Sequence, residues 1–235
     1  MNVAVIGLGR LGLPLAAYLA SWGHQVTGID TKGLVVDALH RGVCLVAETG
    51  LADLLRKFGL NFHASQHLYG AVLSSEIIFI VVPTPSVSNG SFSLDYVLTV
   101  AGEIGTVLRD VSEYRLVVVV STVMPGHMEQ VKTALQTASG KRCGEDFGLC
   151  YNPEFVALGS VLENLNHPDF VLIGESDAIA GEILARRIYP DKKVFRTNFV
   201  DAEIAKLAIN SYVTMKITFA CMMARIAEKV PGADV

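Results

Sequence analysis

The chain has 235 residues, a formal net charge of −4 and a hydrophobic content of 51%, with a mean hydropathy of +0.43. This length suits one large domain or one and a half, and so high an apolar content is typical of a parallel sheet covered on both faces. The acidic balance, without a long basic block, argues against nucleic acid as the main partner.

The apolar runs and the cysteines argue against two further classes of protein. The runs at 77–82 and 116–120 have the length of strands, whereas a membrane-spanning helix needs about 20 apolar residues. The N-terminus shows no basic flank or cleavage site, so we expect a cytoplasmic protein that does not bind a membrane. The cysteines and histidines are scattered, which predicts reduced, mostly buried thiols and no metal site. The cysteines are Cys44, Cys143, Cys150 and Cys221.

The first dozen residues predict a nucleotide-binding turn. An apolar strand at 2–6 opens into Gly7-Leu8-Gly9-Arg10-Leu11-Gly12, and a helix is predicted over 13–19. The first glycine permits a sharp turn, the second lets the backbone approach a pyrophosphate, and the third lets the helix pack close to the sheet. The N-terminal end of the helix then faces the phosphates. A plain strand-to-helix turn is the alternative, but the context favours a dinucleotide.

Asp30 indicates which dinucleotide is bound. It ends a second predicted strand, 25–29, eighteen positions after Gly12. A carboxylate there can accept both hydroxyl protons of a ribose and repels a 2′-phosphate, so NAD is favoured over NADP. Lys32, close after Asp30, keeps NADP as a smaller alternative.

The rest of the chain alternates between helices and strands. Helices are predicted over 33–41, 51–58 (capped by Gly59), 94–108 (capped by Ser93), 127–137 and 178–189, and strands over 60–64, 77–82, 116–120, 147–151, 171–174 and 193–195. The alternation predicts an α/β fold with a Rossmann-like, doubly wound, mostly parallel sheet. A much longer C-terminal helix is predicted over 201–229, and we expect it to form, with the last short strands, an extension away from the sheet.

Three predicted strands end in polar or proline-containing segments. Pro83-Thr84-Pro85 follows the strand at 77–82, the segment 121–126 follows the next, and 152–155 follows the strand at 147–151. Open α/β sheets place their ligands at the carboxyl ends of strands. The alternative for the two prolines is a simple helix-stopping turn.

With these motifs, the chain resembles the N-terminal NAD-binding region of the UDP-glucose/GDP-mannose dehydrogenase family over essentially all 235 residues. The matching stretches are GLGRLGLP at 7–14, VPTP at 82–85, STVMPG at 121–126, NPEF at 152–155, HPDFVLIG at 167–174 and AEIAKLAIN at 202–210. The resemblance implies oxidation of the C6 alcohol of a nucleotide sugar to a carboxylate with two NAD, through a cysteine thiohemiacetal and a thioester.

The resemblance also implies roles for individual residues. Lys206 and Asn210, four apart on one helix face, would stabilise an oxyanion or orient a water. Glu154 would act as the base for thioester hydrolysis, with a water held by Thr122. Without the resemblance, a capping glutamate and a solvated lysine are favoured. The implied catalytic set is Thr122, Glu154, Lys206 and Asn210, and the cofactor-binding set is Gly7, Gly9, Arg10, Leu11, Gly12, Asp30, Lys32, Pro83, Thr84, Thr122 and Glu154.

Three positions depart from the family pattern and bear on the sugar contacts. Leu158 stands where a second acid is common, Val120 where a basic residue often precedes STV, and Phe170 where an arginine is usual. The family's catalytic cysteine lies downstream of the long helix, so we expect it outside this chain, and Cys221 is interpreted as a packing residue.

The expected organisation is an NAD-binding domain over 1–199, followed at 200–235 by the start of a central dimerisation helix. The sugar-nucleotide domain is expected beyond residue 235, and the full-length protein is expected to be a homodimer or larger. A catalytically silent NAD-binding regulatory or scaffold module is the alternative. A complete enzyme of the β-hydroxyacid dehydrogenase type is a weaker one, because NPEF and VPTP belong to the sugar dehydrogenases.

Overall fold

Strands and helices alternate along the residues that the computed structural model describes, which are 1–88, 90–157 and 159–234. The strands are β1 Asn2–Ile6, β2 Gln25–Ile29, β3 Phe62–Ser65, β4 Ile77–Ile80, β5 Arg115–Val119, β6 Phe147–Tyr151, β7 Val171–Glu175 and β8 Val194–Thr197. The α-helices are α1 Gly12–Ser21, α2 Gly33–His40, α3 Leu51–Phe58, α4 Leu68–Ser74, α5 Asp95–Leu108, α6 His127–Ser139, α7 Val161–Asn166, α8 Ala178–Ile188 and α9 Phe199–Ala227.

The strands form one sheet in the order β3-β2-β1-β4-β5-β6-β7-β8. Every neighbouring pair is parallel except β6 and β7, which run antiparallel. The α/β prediction of a Rossmann-like, mostly parallel sheet is therefore confirmed. The expectation that the last short strands leave the sheet is wrong, because β7 pairs with β6 and its apolar residues need cover on both faces.

Helices cover both faces of the sheet. One core contains side chains from α1, α7 and α8, including Tyr18, Leu165 and Leu184. The other contains side chains from α5 and α6 and the start of α9. All four residues of β4 are buried, which explains why its sequence is a continuous apolar run. Because both faces are covered, the carboxyl ends of the strands form the edge of the sheet that ligands can reach.

Short elements account for most of the local differences from the predicted ones. The sequence analysis missed α4 and α7, whose six or seven residues are too few to show helical periodicity. Gly59 does not end α3 in a left-handed conformation, because its φ of −59° continues into a 3₁₀ turn over Gly59–Asn61. The hydroxyl of Ser93 accepts a hydrogen bond from the N–H of Asp95, at 3.2 Å, at the start of α5.

Only the first two turns of the long helix α9 pack on the sheet. Phe199, Ala202, Glu203 and Lys206 are its buried residues, and every residue from 211 to 223 is exposed in this chain. Cys221 is exposed as well, so its interpretation as a packing residue is wrong for this chain. The helix is long and apolar enough to cross a membrane, but core helices of soluble proteins pass the same test of length and composition.

Glu203 fastens α9 to the loop after β5. Its side chain is 0% exposed, and its carboxylate accepts hydrogen bonds from the N–H groups of Gly126 at 2.7 Å and Met128 at 2.8 Å. These two N–H groups lie at the start of α6, where the helix dipole favours a negative charge. The buried carboxylate thus holds two elements together that are about 75 residues apart in sequence.

We expect Glu203→Ala to lower the free energy of unfolding by about 2–4 kcal/mol, because two buried N–H groups lose a charged acceptor. Urea unfolding measures the change. The matched control is Glu129→Ala in α6, which removes an ion pair between an exposed carboxylate and the half-buried Lys132 and should change stability by less than about 1 kcal/mol. Equal urea midpoints for Glu203→Ala and Glu129→Ala would contradict the stabilising role of Glu203.

Candidate functional site

The glycines of the first turn meet different surroundings. A Cβ on Gly12 would lie 1.8 Å from the carbonyl oxygen of Gly7, and a Cβ on Gly7, whose φ is +98°, would lie 2.3 Å from the carbonyl oxygen of Val81. A Cβ on Gly9 would meet no protein atom within 4 Å. Gly7 and Gly12 are therefore required by the fold itself. Gly9 leaves open space at the N-terminus of α1, where a phosphate can approach the backbone.

Backbone hydrogen bonds hold Asp30 beside this turn. Its Oδ2 accepts from the N–H of Leu8 at 3.0 Å, and its Oδ1 accepts from the N–H of Lys32 at 2.9 Å. Gly9, Arg10, Asp30 and Lys32 all line one pocket of about 570 Å³, together with apolar side chains such as Leu39 and Leu45. A largely apolar cleft with the fixed carboxylate of Asp30 beside the glycine turn suits an adenosine.

A segment that the sequence analysis did not single out also contributes to the wall of this pocket. Glu48 lines it, and the Glu48 carboxylate accepts hydrogen bonds from the N–H groups of Gly159 at 2.9 Å and Leu162 at 3.4 Å. The Thr49 hydroxyl donates to the carbonyl of Gly159 at 3.1 Å. The pocket wall is thus joined to the segment that follows Glu154.

The register of the sheet brings the predicted site segments to one edge. Ile6 lies opposite Ile80, Ile80 opposite Val119, and Val119 opposite Tyr151. The residues that follow these four positions therefore leave the sheet in a row. They lead into the glycine turn, the VPTP segment, the STVMPG segment and the NPEF segment.

The loops after β4 and β5 are also joined directly. The Ser121 hydroxyl donates to the carbonyl of Val82 at 2.7 Å. Pro83 is exposed, and Thr84 and Thr122 are partly buried, so these side chains lie at the surface of the same edge.

Lys206 and Glu154 meet beyond the end of β6. The Lys206 ammonium donates to the carbonyl of Glu154 at 2.6 Å and to Oδ1 of Asn210 at 3.3 Å, and it lies 4.6 Å from the centre of the Phe155 ring. Lys206 is only 6% exposed. It is therefore not the solvated lysine that the residues alone favoured, and Glu154 makes no helix-capping contact with the residues that the structure describes.

The Glu154 carboxyl has an unusual environment. The Tyr189 hydroxyl lies 3.2 Å from its Oε1 and 2.7 Å from Oδ1 of Asn152. Burial raises the pKa of Glu154 to about 7, against the lowering effects of the Tyr189 hydrogen bond and the Lys206 charge. Burial also lowers the pKa of Lys206, while Glu154 opposes this. A carboxyl with a pKa near 7 is suited to accept and release a proton at neutral pH.

The structure describes two of the three positions that depart from the family pattern, Phe170 and Val120. Phe170 packs against Phe155, with ring centres 5.1 Å apart, and against Phe195 at 5.9 Å. The Phe155 ring in this cluster is the one that Lys206 contacts. Val120 is buried directly after β5. Leu158 lies outside the described residues.

The doubly wound sheet, the glycine turn and the acid after β2 define a dinucleotide-binding domain of the Rossmann type. Residues 1–192 match the model of the UDP-glucose/GDP-mannose dehydrogenase family, NAD binding domain. The chain belongs to this family, and its cofactor is NAD.

Known relatives agree with this assignment. GDP-mannose 6-dehydrogenase of Azotobacter vinelandii is 36% identical over 240 residues, covering 100% of this chain and 54% of the relative. UDP-glucose 6-dehydrogenase AglM of Haloferax volcanii is 32% identical over 241 residues, covering 100% and 56%. The crystal structure of a ternary complex of GDP-mannose dehydrogenase from Pseudomonas aeruginosa matches with a TM-score of 0.95 and 36% identity, covering 100% and 54%. The chain thus spans about half the length of the curated relatives it matches.

Gly9→Ala should separate cofactor binding from folding. Because the new methyl group meets no protein atom, the free energy of unfolding should stay the same, whereas NAD affinity should fall at least about tenfold through contact with the pyrophosphate. Calorimetric titration and urea unfolding measure the two effects. The control is Gly102→Ala in α5, where an added Cβ also meets no atom within 4 Å. Unchanged NAD affinity in Gly9→Ala would remove this position from the cofactor site.

The raised pKa of Glu154 predicts a pH-dependent cost of folding. Between about 4.5 and about 7 the folded protein binds more protons at this group than the unfolded chain, so the stability of the wild type falls as pH rises through this window. Glu154→Gln removes the effect. The stability of the variant relative to wild type should therefore rise by about 1–3 kcal/mol from pH 4.5 to pH 8. Urea unfolding at several pH values tests this, and a pH-independent difference would contradict it.

Proposed function

We propose that the chain is the NAD-binding part of a nucleotide-sugar 6-dehydrogenase of the GDP-mannose or UDP-glucose type. The full protein would oxidise the C6 alcohol of the sugar to a carboxylate and use two NAD. The main support from the structure is the meeting of Glu154, Lys206 and Asn210 at the sheet edge that also carries the glycine turn. The main support from the comparisons is the pair of activities that the relatives' names state.

The cofactor would lie across this edge. NAD supplies a hydride acceptor when it is bound. The residues proposed to hold it are those predicted from the sequence, namely Gly7, Gly9, Arg10, Leu11, Gly12, Asp30, Lys32, Pro83, Thr84, Thr122 and Glu154. The open space at Gly9, the fixed carboxylate of Asp30 and the alignment of the loops at 83–84 and 122 support this set.

Lys206 is suited to stabilise negative charge on a substrate oxygen. Its ammonium is buried and held by the Glu154 carbonyl and the Asn210 amide oxygen, so it does not have to reorganise when charge develops. In a site shielded from water, such a fixed charge acts strongly on an oxyanion. Asn210 is exposed, which leaves its amide available to a substrate or a water.

Glu154 is suited to accept a proton from water during hydrolysis of a covalent intermediate. Its pKa of about 7 keeps a substantial ionised fraction at neutral pH while leaving it a better base than an ordinary carboxylate. Thr122 lies on the neighbouring loop and could hold that water through its hydroxyl.

The nucleophile is proposed to be a cysteine outside these 235 residues. Burial raises the pKa of Cys143 and raises that of Cys150 well above its ordinary value, which disfavours the thiolate that attacks a carbonyl. Cys221 lies fifteen residues beyond Lys206 on α9, about 22 Å along the helix axis.

The organisation of the full protein is proposed from the same observations. The NAD-binding domain would extend over 1–199, and 200–235 would begin a central helix that pairs two subunits. The row of exposed apolar side chains on α9 supports a homodimer, and includes Tyr212, Met215, Phe219, Met222 and Ile226. A cytoplasmic location accords with nucleotide-sugar chemistry.

Calorimetric titration of the chain with NAD and, separately, NADP tests the cofactor part of this proposal, followed by assay for NADH with GDP-mannose and UDP-glucose. We expect NAD to bind more tightly than NADP, without NADH production by these 235 residues. Tighter binding of NADP would contradict the role of Asp30. Steady NADH production would show that the chain carries its own nucleophile.

Lys206→Ala separates catalysis from cofactor binding. In a longer protein that produces NADH, we expect the variant to lose at least about 100-fold in kcat, because one buried charge that stabilises an oxyanion is removed. In the present chain its NAD affinity should stay within about twofold of wild type. Lys216→Ala on the exposed part of α9 is the control for loss of a lysine from this helix. Retained turnover in the Lys206 variant would exclude the proposed role of Lys206. A full-length wild-type protein that binds NAD without any turnover would instead support the silent-module alternative.

A further inference from the structure

We propose that Tyr189 is a positioning residue that holds the Glu154 carboxyl in place through its hydroxyl, with Asn152 fixing the hydroxyl in turn. The inference rests on the proposed function only for the role of Glu154. The contacts among Tyr189, Asn152 and Glu154 are observed in the structure and do not depend on that function.

Tyr189 is held rigidly at the end of α8. Its backbone N–H donates to the carbonyl of Ala185 at 3.1 Å, and the residue is 3% exposed. The hydroxyl therefore reaches Glu154 from an element 35 residues away in sequence. A hydroxyl placed by a packed ring has little freedom to leave its acceptors.

Asn152 determines how the hydroxyl is oriented. Asn152 is 1% exposed, and its amide nitrogen donates to the carbonyl of Leu172 in β7 at 3.0 Å. This hydrogen bond leaves the amide oxygen facing Tyr189, at 2.7 Å from the hydroxyl. The contacts thus run from the backbone of β7 through Asn152 and Tyr189 to the Glu154 carboxyl.

This arrangement can serve both protonation states of Glu154. When the carboxyl is ionised, the single hydroxyl proton of Tyr189 is shared between two acceptors, Glu154 Oε1 and Asn152 Oδ1. When the carboxyl is protonated, its own O–H can donate to the Tyr189 oxygen, whose proton then points to Asn152. Burial raises the pKa of Tyr189 well above its ordinary value, so its hydroxyl stays protonated throughout the titration of Glu154.

Within the described part of the chain, Lys206 and Tyr18 also lie near Glu154, and neither replaces Tyr189. The Lys206 ammonium binds the Glu154 main-chain carbonyl. The Tyr18 hydroxyl, on α1, is buried without a hydrogen-bond partner among the residues that the structure describes. Burial, with a smaller contribution from Glu154, raises the Tyr18 pKa to about 12. The observed side-chain hydrogen bond to the carboxyl comes from Tyr189.

The test is a pH titration of Glu154 in the 235-residue chain. The titration is monitored by ¹³C NMR of glutamate labelled at its side-chain carboxyl. Loss of one signal in Glu154→Gln assigns the resonance. In Tyr189→Phe the carboxylate loses a hydrogen bond, so its titration midpoint should rise by about one pH unit. Tyr114→Phe is the matched control, because it removes another buried tyrosine hydroxyl, one that lies against Gly148 within β6. It should leave the midpoint unchanged.

Asn152→Leu provides a second variant with a shift of opposite sign. Without the amide oxygen, the Tyr189 hydroxyl donates to Glu154 alone, which stabilises the ionised carboxyl and should lower the midpoint. A merely structural role of either residue predicts no such opposed pair of shifts. An unchanged midpoint in Tyr189→Phe, or shifts of the same sign in both variants, would overturn the proposal.

This readout is independent of turnover. Absence of NAD binding by this chain, or of NADH production by a longer protein that also carries the proposed cysteine, would overturn the proposed function and leave the Tyr189 contact as measured. Titration midpoints of Glu154 that shift in opposite directions in the two variants, together with NAD binding by the chain, would support both the role of Tyr189 and the proposed function.

Discussion

The in-register ends of four parallel strands are the constraint on which the rest of the site depends. Ile6, Ile80, Val119 and Tyr151 lie side by side across the sheet, so the segments after them emerge together although they are far apart in sequence. A shift of one residue in any of these pairs would turn the neighbouring side chains to the opposite face. The continuous burial of the strands on both faces, which opposes any such shift, therefore also determines where the cofactor and the polar side chains can meet.

The start of α9 connects this edge to the stability of the domain. Glu203 binds the N-terminal N–H groups of α6, and Lys206, three residues later, reaches Glu154. One helical turn thus carries a buried acid that fastens the helix and a buried amine that belongs to the proposed site. Burying these charges is costly unless they are paired or hydrogen-bonded, and each has such partners. The same helix is packed on the sheet at its start and is exposed at every residue from 211 to 223.

Much of the fold could be predicted because its signals are local. The strands at 2–6, 25–29 and 147–151 match the observed bounds, since short apolar runs beside glycines or polar residues identify buried strands. The path of β7 could not be predicted, because antiparallel pairing with β6 depends on contacts across the sheet. Tyr189 and Glu48 were missed for the same reason, as their partners lie 35 and 111 residues away and no local motif marks them. The two short helices, α4 and α7, lack enough turns for a periodic pattern.

The most direct test of the account is a titration of ¹⁵N-labelled chain with NAD, followed through its backbone amide signals. If the strand ends form one cofactor site, the signals that shift should come from Gly9, Arg10 and Leu11, together with those of Thr84 and Thr122 on the neighbouring loops. Shifts confined to the exposed part of α9, or shifts in the glycine turn without any in the other two loops, would contradict a single site at this edge of the sheet.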